Sequence, residues 1–140
     1  MRKFEFQRTL DSLPGLTENG WLNVKDPSYP LLRKKFYESA SYLQQALDAC
    51  EYLKRYQKSV LISPWQKANC VPSKLKSLVE WHSQRPVSFG AIVVAAAHLG
   101  FRVVWEGPGN EPHFNIFARQ LEAEMRDFQF RQIITRAVGE

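Results

Sequence analysis

The sequence contains few of the residues on which common metal and nucleotide sites depend. Its 140 residues include two cysteines, Cys50 and Cys70, and three histidines spaced fifteen or sixteen residues apart. Neither cysteine belongs to a Cys-x-x-Cys pair, the usual spacing for zinc ligands. The Gly-x-Gly pair at 107–109 lacks the third glycine and the following helix of a dinucleotide-binding motif. We therefore predict neither a metal nor another cofactor.

A catalytic nucleophile is also poorly supported. Cys70 could approach His82 or His98 in a fold, but the local sequence of each matches no known catalytic motif. Cys50 lies on the apolar stripe of a predicted helix, which is typical of a core residue. Three carboxylates are typical of a solvated helix face: Glu122, Glu124 and Asp127. We predict a protein without enzymatic activity, and a chemical role for His98 or His113 stays open.

Long apolar runs are missing too. The longest uncharged apolar segment, residues 86–101, is shorter than the roughly 20 residues that a membrane-spanning helix needs. The first ten residues, MRKFEFQRTL, lack the apolar core of a signal peptide. Because so few cysteines suit a reducing compartment, we predict a cytoplasmic protein without a membrane partner.

The remaining composition suits one folded domain over residues 1–140. Hydrophobic residues make up 44% of the chain and aromatic residues 13%, which argues against disorder. The fold class predicted from the patterns below is α+β and mainly helical, with a long N-terminal helix, a helix-turn-helix followed by a β-hairpin, and a C-terminal helix.

The N-terminal half is predicted to be an extension followed by one long helix. Residues 1–29 form the extension, with a short strand in residues 1–10 and then a turn-rich loop. A helical pattern runs over residues 30–58, where apolar residues recur at alternating steps of four and three without an intervening glycine or proline. That spacing suits either packing within the chain or a helix seam with a second copy or another protein.

The C-terminal half is predicted to contain a helix–helix–hairpin unit over residues 73–117 and a helix over residues 118–140. Helices at 73–83 and 89–99 precede strands at 101–105 and 113–117, an order that resembles a winged helix. Ser88 and Gly100 mark the ends of the second helix. That helix is apolar on every face, so we expect it to be buried rather than to read bases.

Positive charge is concentrated in one part of the sequence. The net charge is +5, and residues 54–85 contain seven basic residues and one acidic residue. A localised basic excess, interleaved with tyrosine and tryptophan, favours binding of DNA or RNA through backbone phosphates. A solvated face with counter-charges from elsewhere is the alternative reading of the same residues. The candidate nucleic-acid-binding residues are Arg33, Lys34, Lys35, Lys54, Arg55, Lys58, Lys67, Lys74, Lys76 and Arg85.

One segment resembles a known group of proteins. Residues 74–116 include VSFGAIVVAAAHLGF and a later Pro112, Phe114 and Asn115. This pattern is similar to a V-S-x-G-A-x-I-A-A-A-x-x-L-G-F-like helix in small uncharacterised bacterial proteins of mobile or accessory DNA. Phe89 stands where that group often has asparagine. The resemblance implies a shared small fold and an accessory-genome origin, and it implies no particular activity.

These patterns lead to two functional hypotheses. The first is a small nucleic-acid-associated protein that contacts backbone phosphates through its basic residues. The second is a protein-interaction module, such as an adaptor, an inhibitor or a subunit, that uses the long helix 30–58 as its contact surface.

Overall fold

The computed structural model describes residues 1–139 and confirms an α+β chain that is mainly helical. The described residues form seven helices and two small antiparallel hairpins, which turns and loops connect. In chain order they are α1 (Lys3–Asp11), β1 (Leu16–Thr17), β2 (Gly20–Trp21), α2 (Tyr29–Glu38), α3 (Ala40–Leu53), α4 (Pro64–Asn69), α5 (Pro72–Ser83), α6 (Phe89–His98), β3 (Val103–Val104), β4 (His113–Phe114) and α7 (Ala118–Gly139). Within residues 1–139 no helix is long and apolar enough to cross a membrane.

Helix α6 is the buried centre of the fold, as the sequence predicted. All residues from Gly90 to Ala96 are buried, and the helix packs mainly against α3 and also against α1 and α5. The Ser88 hydroxyl caps it by accepting the Ala91 N–H at 3.2 Å. Gly100 has the positive φ of 86° that suits the residue after a helix end. The small side chains of α6 allow its neighbours to approach closely.

The β1–β2 hairpin rests on the start of α6. The backbone N–H of Gly90 donates to the Glu18 carbonyl at 2.8 Å, so backbone meets backbone at this point. A Cβ atom at position 90 would lie 2.2 Å from the Thr17 carbonyl oxygen, well inside van der Waals contact. Glycine is therefore required at position 90, because a side chain there would collide with the β1–β2 hairpin. The hydrogen bond at this position also holds the N-terminal segment against the core.

The predicted long helix over residues 30–58 is wrong, because the chain breaks at Ser39 and leaves the helix after Leu53. Ser39 has extended backbone angles, φ −74° and ψ 125°, between α2 and α3. The bend brings Phe36 edge-to-face with Phe6 at 5.6 Å and with Tyr42 at 5.2 Å between ring centroids. Burying this aromatic cluster outweighs the few backbone hydrogen bonds that a continuous helix would add.

Two predictions in the N-terminal half need further correction. Residues 1–10 are not a strand: α1 covers most of them, because Phe6 and Leu10 at helical spacing are buried whereas Phe4 is exposed. The residues between the predicted segments 30–58 and 73–117 are expected to be a connection without a helix, but they contain α4. Its Ser63 hydroxyl accepts the Gln66 N–H while the Gln66 side chain accepts the Ser63 N–H. This reciprocal capping makes a six-residue helix possible.

The helix–helix–hairpin order of residues 73–117 is present, but the hairpin is shorter than predicted. Only Val103 and Val104 pair with His113 and Phe114. Beyond that point residues 115–117 pair with residues 57–59 instead, through Ser59 N–H to Asn115 O and Phe117 N–H to Gln57 O, both at 2.8 Å. Helices α5 and α7 confirm the predictions for residues 73–83 and for the C-terminal helix; residue 140 lies outside the described residues.

Candidate interaction surfaces

The ten candidate basic residues do not form one continuous free surface. Arg33 is turned inward: its guanidinium donates to the carbonyls of Leu10, Leu13 and Leu16 at 2.5, 3.1 and 2.7 Å. These carbonyls lie at the end of α1, in the turn that follows it and in β1. The Leu10 and Leu13 carbonyls also accept the backbone N–H groups of Leu13 and Leu16, so Arg33 adds charged donors to a turn that is already hydrogen-bonded. Arg33 is thus a structural residue, because both terminal nitrogens of its guanidinium, Nη1 and Nη2, donate within the chain.

Four more of the candidates take part in ion pairs within the chain. Lys54 lies 2.8 Å from Glu51, and Lys67 lies 3.6 Å from Glu106. The other two pairs join Arg55 to Glu124 at 3.6 Å and Arg85 to Asp48 at 2.7 Å. Arg55 also stacks over the Tyr52 ring at 4.1 Å. Three of these counter-charges come from distant parts of the chain and are not visible in the linear sequence, whereas Glu51 lies three residues from Lys54. The four pairs reduce the free positive charge of the basic segment.

The other five candidates are exposed on several elements. Lys58 lies 5.6 Å from the centre of the Phe101 ring. The remaining four candidates are exposed lysines, Lys34 and Lys35 on α2 and Lys74 and Lys76 on α5. Like Lys58, they take part in no ion pair within residues 1–139. Among the aromatic residues interleaved with the basic segment, Tyr52 and Tyr56 are buried and Trp65 is partly buried, whereas Trp81 on α5 is 39% exposed. Stacking of a base beside these lysines would therefore have to use Trp81.

The groups considered for chemistry are dispersed. No group of three or more His, Cys, Asp or Glu side chains within residues 1–139 is arranged to hold a metal ion. Burial raises the pKa of the Cys70 thiol to about 12 and that of Cys50 to about 11. Burial also lowers the pKa of His113, which favours its neutral form. Neither thiol is therefore activated as a nucleophile.

We expect both thiols to react slowly with a disulfide reagent in the folded protein. With a pKa of about 11, Cys50 is ionised in about one molecule in a thousand at pH 8. Treatment with Ellman's reagent at pH 8 should release almost no chromophore within minutes from native protein, and two equivalents after denaturation in guanidinium chloride. Rapid reaction of one thiol in native protein would show that the core packing around it opens.

The second half of α7 carries an apolar face that no other element of residues 1–139 covers. In its first half Leu121, Met125 and Phe128 face the body, and Phe128 meets Trp81 edge-to-face at 5.7 Å. Phe130 comes two residues later, which is about 200° further around a helix with 3.6 residues per turn. The apolar residues thus change sides along α7, from the body side to the solvent side.

This solvent-side surface, called here the α7 apolar face, consists of Phe130, Ile133, Ile134, Ala137 and Val138. Phe130 and Ile133 are 63% and 64% exposed, and Val138 is 81% exposed. The total accessible surface is 8307 Å², whereas a compact chain of this mass is expected to expose roughly 7,500 Å². A helix end that projects from the body adds accessible surface of this kind. The helical spacing of these residues is visible in the sequence, but their exposure depends on where the body ends.

A second surface is an open cleft of about 820 Å³ between the β1–β2 hairpin and the loop that joins β3 to β4. We call it the tryptophan cleft. The rings of Trp21 and Trp105 stack across it, 5.0 Å apart between centroids and only 8° from parallel. The residues that give it an apolar wall include Pro14, Leu22, Phe89 and Pro108. Sequence reasoning missed this site, because Trp21 and Trp105 are 84 positions apart in the chain.

Comparison with known proteins identifies no relative. No protein-family model, curated protein or solved structure matches the chain. The resemblance of residues 74–116 to small bacterial proteins of mobile DNA therefore stays a prediction, and the functional argument rests on the surfaces described above.

Proposed function

We propose that the protein is an interaction module that inserts the α7 apolar face into a groove of a partner protein. The observation that carries this proposal is the exposure of Phe130, Ile133 and Ile134 on a helix end that projects beyond the body. Their spacing, with Ala137, is i, i+3, i+4 and i+7, the anchor pattern of helices that bind in grooves. The proposal includes no catalytic step, and the chain stays predicted as non-enzymatic.

The extent of the face favours a groove over a second copy of the chain. With 150–250 Å² for a large side chain, the exposed fractions of these residues give an apolar area on the order of 450 Å². A stable interface takes about 800 Å² from each partner. Two such faces pressed together fall short of that area, whereas a groove also covers the flanks of the helix.

The charges beside the face indicate what surrounds that groove. At about 100° per residue, Arg131 and Arg136 lie on opposite sides of the α7 apolar face, and Arg126 lies in line with it one turn before Phe130. Asp127 is the single acidic residue between positions 126 and 139. A groove with an apolar floor and a rim of carboxylates complements this arrangement.

The original interaction hypothesis placed the contact on helix 30–58. The apolar stripe of that segment lies largely inside the chain, since Phe36, Ala46 and Leu53 are fully buried. The break at Ser39 also divides it. The interaction surface is therefore proposed for α7 instead.

We predict that the double variant Phe130→Ala/Ile133→Ala loses partner binding without losing stability. Alanine keeps the helix and removes two anchors, so affinity for the partner should fall at least tenfold. The free energy of unfolding should change by no more than about 0.5 kcal/mol, because both side chains are exposed. A nuclease-treated pull-down identifies the partner, and titration of the purified pair measures the loss of affinity.

The matched control is Leu31→Ala on α2, where an exposed apolar side chain, 74% accessible, lies outside the α7 apolar face. Partner binding should survive this change. Equal losses in the control and the double variant would contradict the proposal. If the wild-type protein dimerises with rising concentration and the double variant does not, the α7 apolar face contacts a second copy of the chain instead of another protein.

A nucleic-acid-associated role is the second candidate. The observation that favours it is the set of four exposed lysines without ion pairs on α2 and α5. The order α5, α6 and hairpin is consistent with a winged-helix-like module, in which α6 would serve as core and the lysines would contact phosphates of DNA or RNA. The cytoplasm stays the predicted compartment, because two free thiols suit reducing conditions.

We expect Lys74→Glu/Lys76→Glu to weaken retention on DNA or RNA at low salt and to flatten its salt dependence. Each lost phosphate contact lowers the slope of log affinity against log salt by about 0.9 on duplex DNA. The control Lys54→Glu/Lys67→Glu makes the same charge change at lysines that are already paired. Absence of retention by the wild-type protein at 50 mM salt would remove this candidate.

A further inference from the structure

We propose that the tryptophan cleft binds an uncharged, proline-rich extended segment of another protein. This site is separate from the α7 apolar face. Three properties of the cleft support this ligand: its aromatic surface, its unpaired hydrogen-bond donors and its lack of lysine and arginine.

The aromatic surface suits a chain of prolyl rings. Trp21 and Trp105 stack nearly parallel, and Phe89 adds a third ring beside the hairpin, where its Cε1 lies 3.2 Å from the Cβ position of Gly20. Proline-rich segments adopt a polyproline II helix, whose rings dock on aromatic-lined grooves. Such a segment is already extended before binding, so little conformational entropy is lost when it binds.

The donors in the cleft suit the backbone of such a segment. The Trp105 indole N–H donates to the Asn110 carbonyl at 3.0 Å, which holds the loop in place. The Trp21 indole N–H has no hydrogen-bond partner within residues 1–139. The side-chain amides of Asn19 and Asn23 likewise donate to no group in the described chain. A polyproline II segment has no internal hydrogen bonds, so its carbonyls are free to accept from these groups.

The charge of the cleft excludes two other ligand classes. None of its lining residues within the described chain is lysine or arginine, although the protein carries 19 of them. Phosphate groups of a nucleic acid would find no cation there. The one lining carboxylate, Glu111, accepts the backbone N–H and the hydroxyl of Ser73 at 2.9 and 2.6 Å. These bonds hold the carboxylate against the start of α5 and leave its negative charge in place, so an acidic peptide is repelled as well, and a ligand without negative charge fits best.

The test is a titration of the ¹⁵N-labelled full chain with a ten-residue proline peptide. The spectrum should contain four indole N–H signals, one for each tryptophan. Those of Trp21 and Trp105 should move with the peptide, and those of Trp65 and Trp81 should stay. Trp105→Ala should weaken binding about tenfold or more, as loss of a central aromatic anchor does.

The matched control is Trp81→Ala, since Trp81 is 39% exposed and Trp105 is 37% exposed. Binding should be unchanged in this control. Trp21→Phe provides a second variant that keeps a ring and removes the indole N–H, and it should weaken binding about three- to tenfold. Thermal unfolding of each variant shows that it is folded.

Two results would overturn the proposal. One is the absence of any shift of the Trp21 and Trp105 signals at millimolar peptide. The other is a shift of these signals by a neutral linear hexasaccharide or by single-stranded oligothymidine but not by the proline peptide, which would assign the cleft to that ligand instead.

Discussion

Replacement of Gly90 by alanine should lower the free energy of unfolding by about 3 kcal/mol or more. The added Cβ would lie 2.2 Å from the Thr17 carbonyl oxygen and 2.9 Å from the Phe36 ring. The backbone of the β1–β2 hairpin must then move away from α6. That movement stretches the hydrogen bond from the Gly90 N–H to the Glu18 carbonyl. Urea denaturation monitored by circular dichroism measures the loss.

Gly139→Ala is the control for this substitution. No other atom lies within 4 Å of the Cβ position at Gly139, near the end of α7. The change in unfolding free energy there should stay within about 0.5 kcal/mol. If Gly90→Ala were as stable as wild type, the hairpin would not rest on the start of α6, and the tryptophan cleft would lose the support for one of its walls.

Arg33→Ala should lower the free energy of unfolding by about 2–3 kcal/mol. In the sequence Arg33 is followed directly by two other cations, Lys34 and Lys35, for which we expect no such loss. Its guanidinium donates to three carbonyls between the end of α1 and β1, and alanine would remove these charged hydrogen bonds. Arg33→Lys should recover only part of the loss, because one ammonium group cannot reproduce the planar fork. Urea denaturation of both variants provides the measurement.

The neighbouring lysines serve as controls for Arg33. Lys34→Ala and Lys35→Ala remove exposed cations from the same helix, so each should change stability by no more than about 0.5 kcal/mol. Similar losses at all three positions would mean that the cluster stabilises the fold through its net charge, and that the inward hydrogen bonds of Arg33 are unimportant.

The elements that the sequence predicts best are those whose signals are local. Helix α6 has a capping serine, a continuous apolar core and a glycine just after its end, and its bounds differ from the prediction by one residue. The break at Ser39 has no such local signal, since serine neither stops a helix nor kinks it reliably. The break follows from packing of Phe36 against Phe6, which lies 30 positions away.

The candidate site was harder to predict, for a related physical reason. Positive charge in a sequence shows where cations are, but not which of them find a counter-charge. Arg85 meets Asp48 and Arg55 meets Glu124 only after α3, α5 and α7 have packed. The helical spacing of Phe130, Ile133 and Ile134 was visible, yet whether such a stripe is covered depends on how far the body extends along α7.

The central claim, docking of the α7 apolar face in a groove, is tested most directly by photo-cross-linking at Phe130. A benzoyl-phenylalanine placed there keeps an aromatic side chain at the proposed contact, and the same group at Phe4, 57% exposed on α1, is the control. We predict that irradiation of cells that naturally produce the protein gives one nuclease-resistant protein adduct from position 130 and not from position 4. Its cross-linked peptide should lie in an apolar groove bordered by aspartate or glutamate. Adducts only to a second copy, only to nucleic acid, or equally from both positions would contradict the claim.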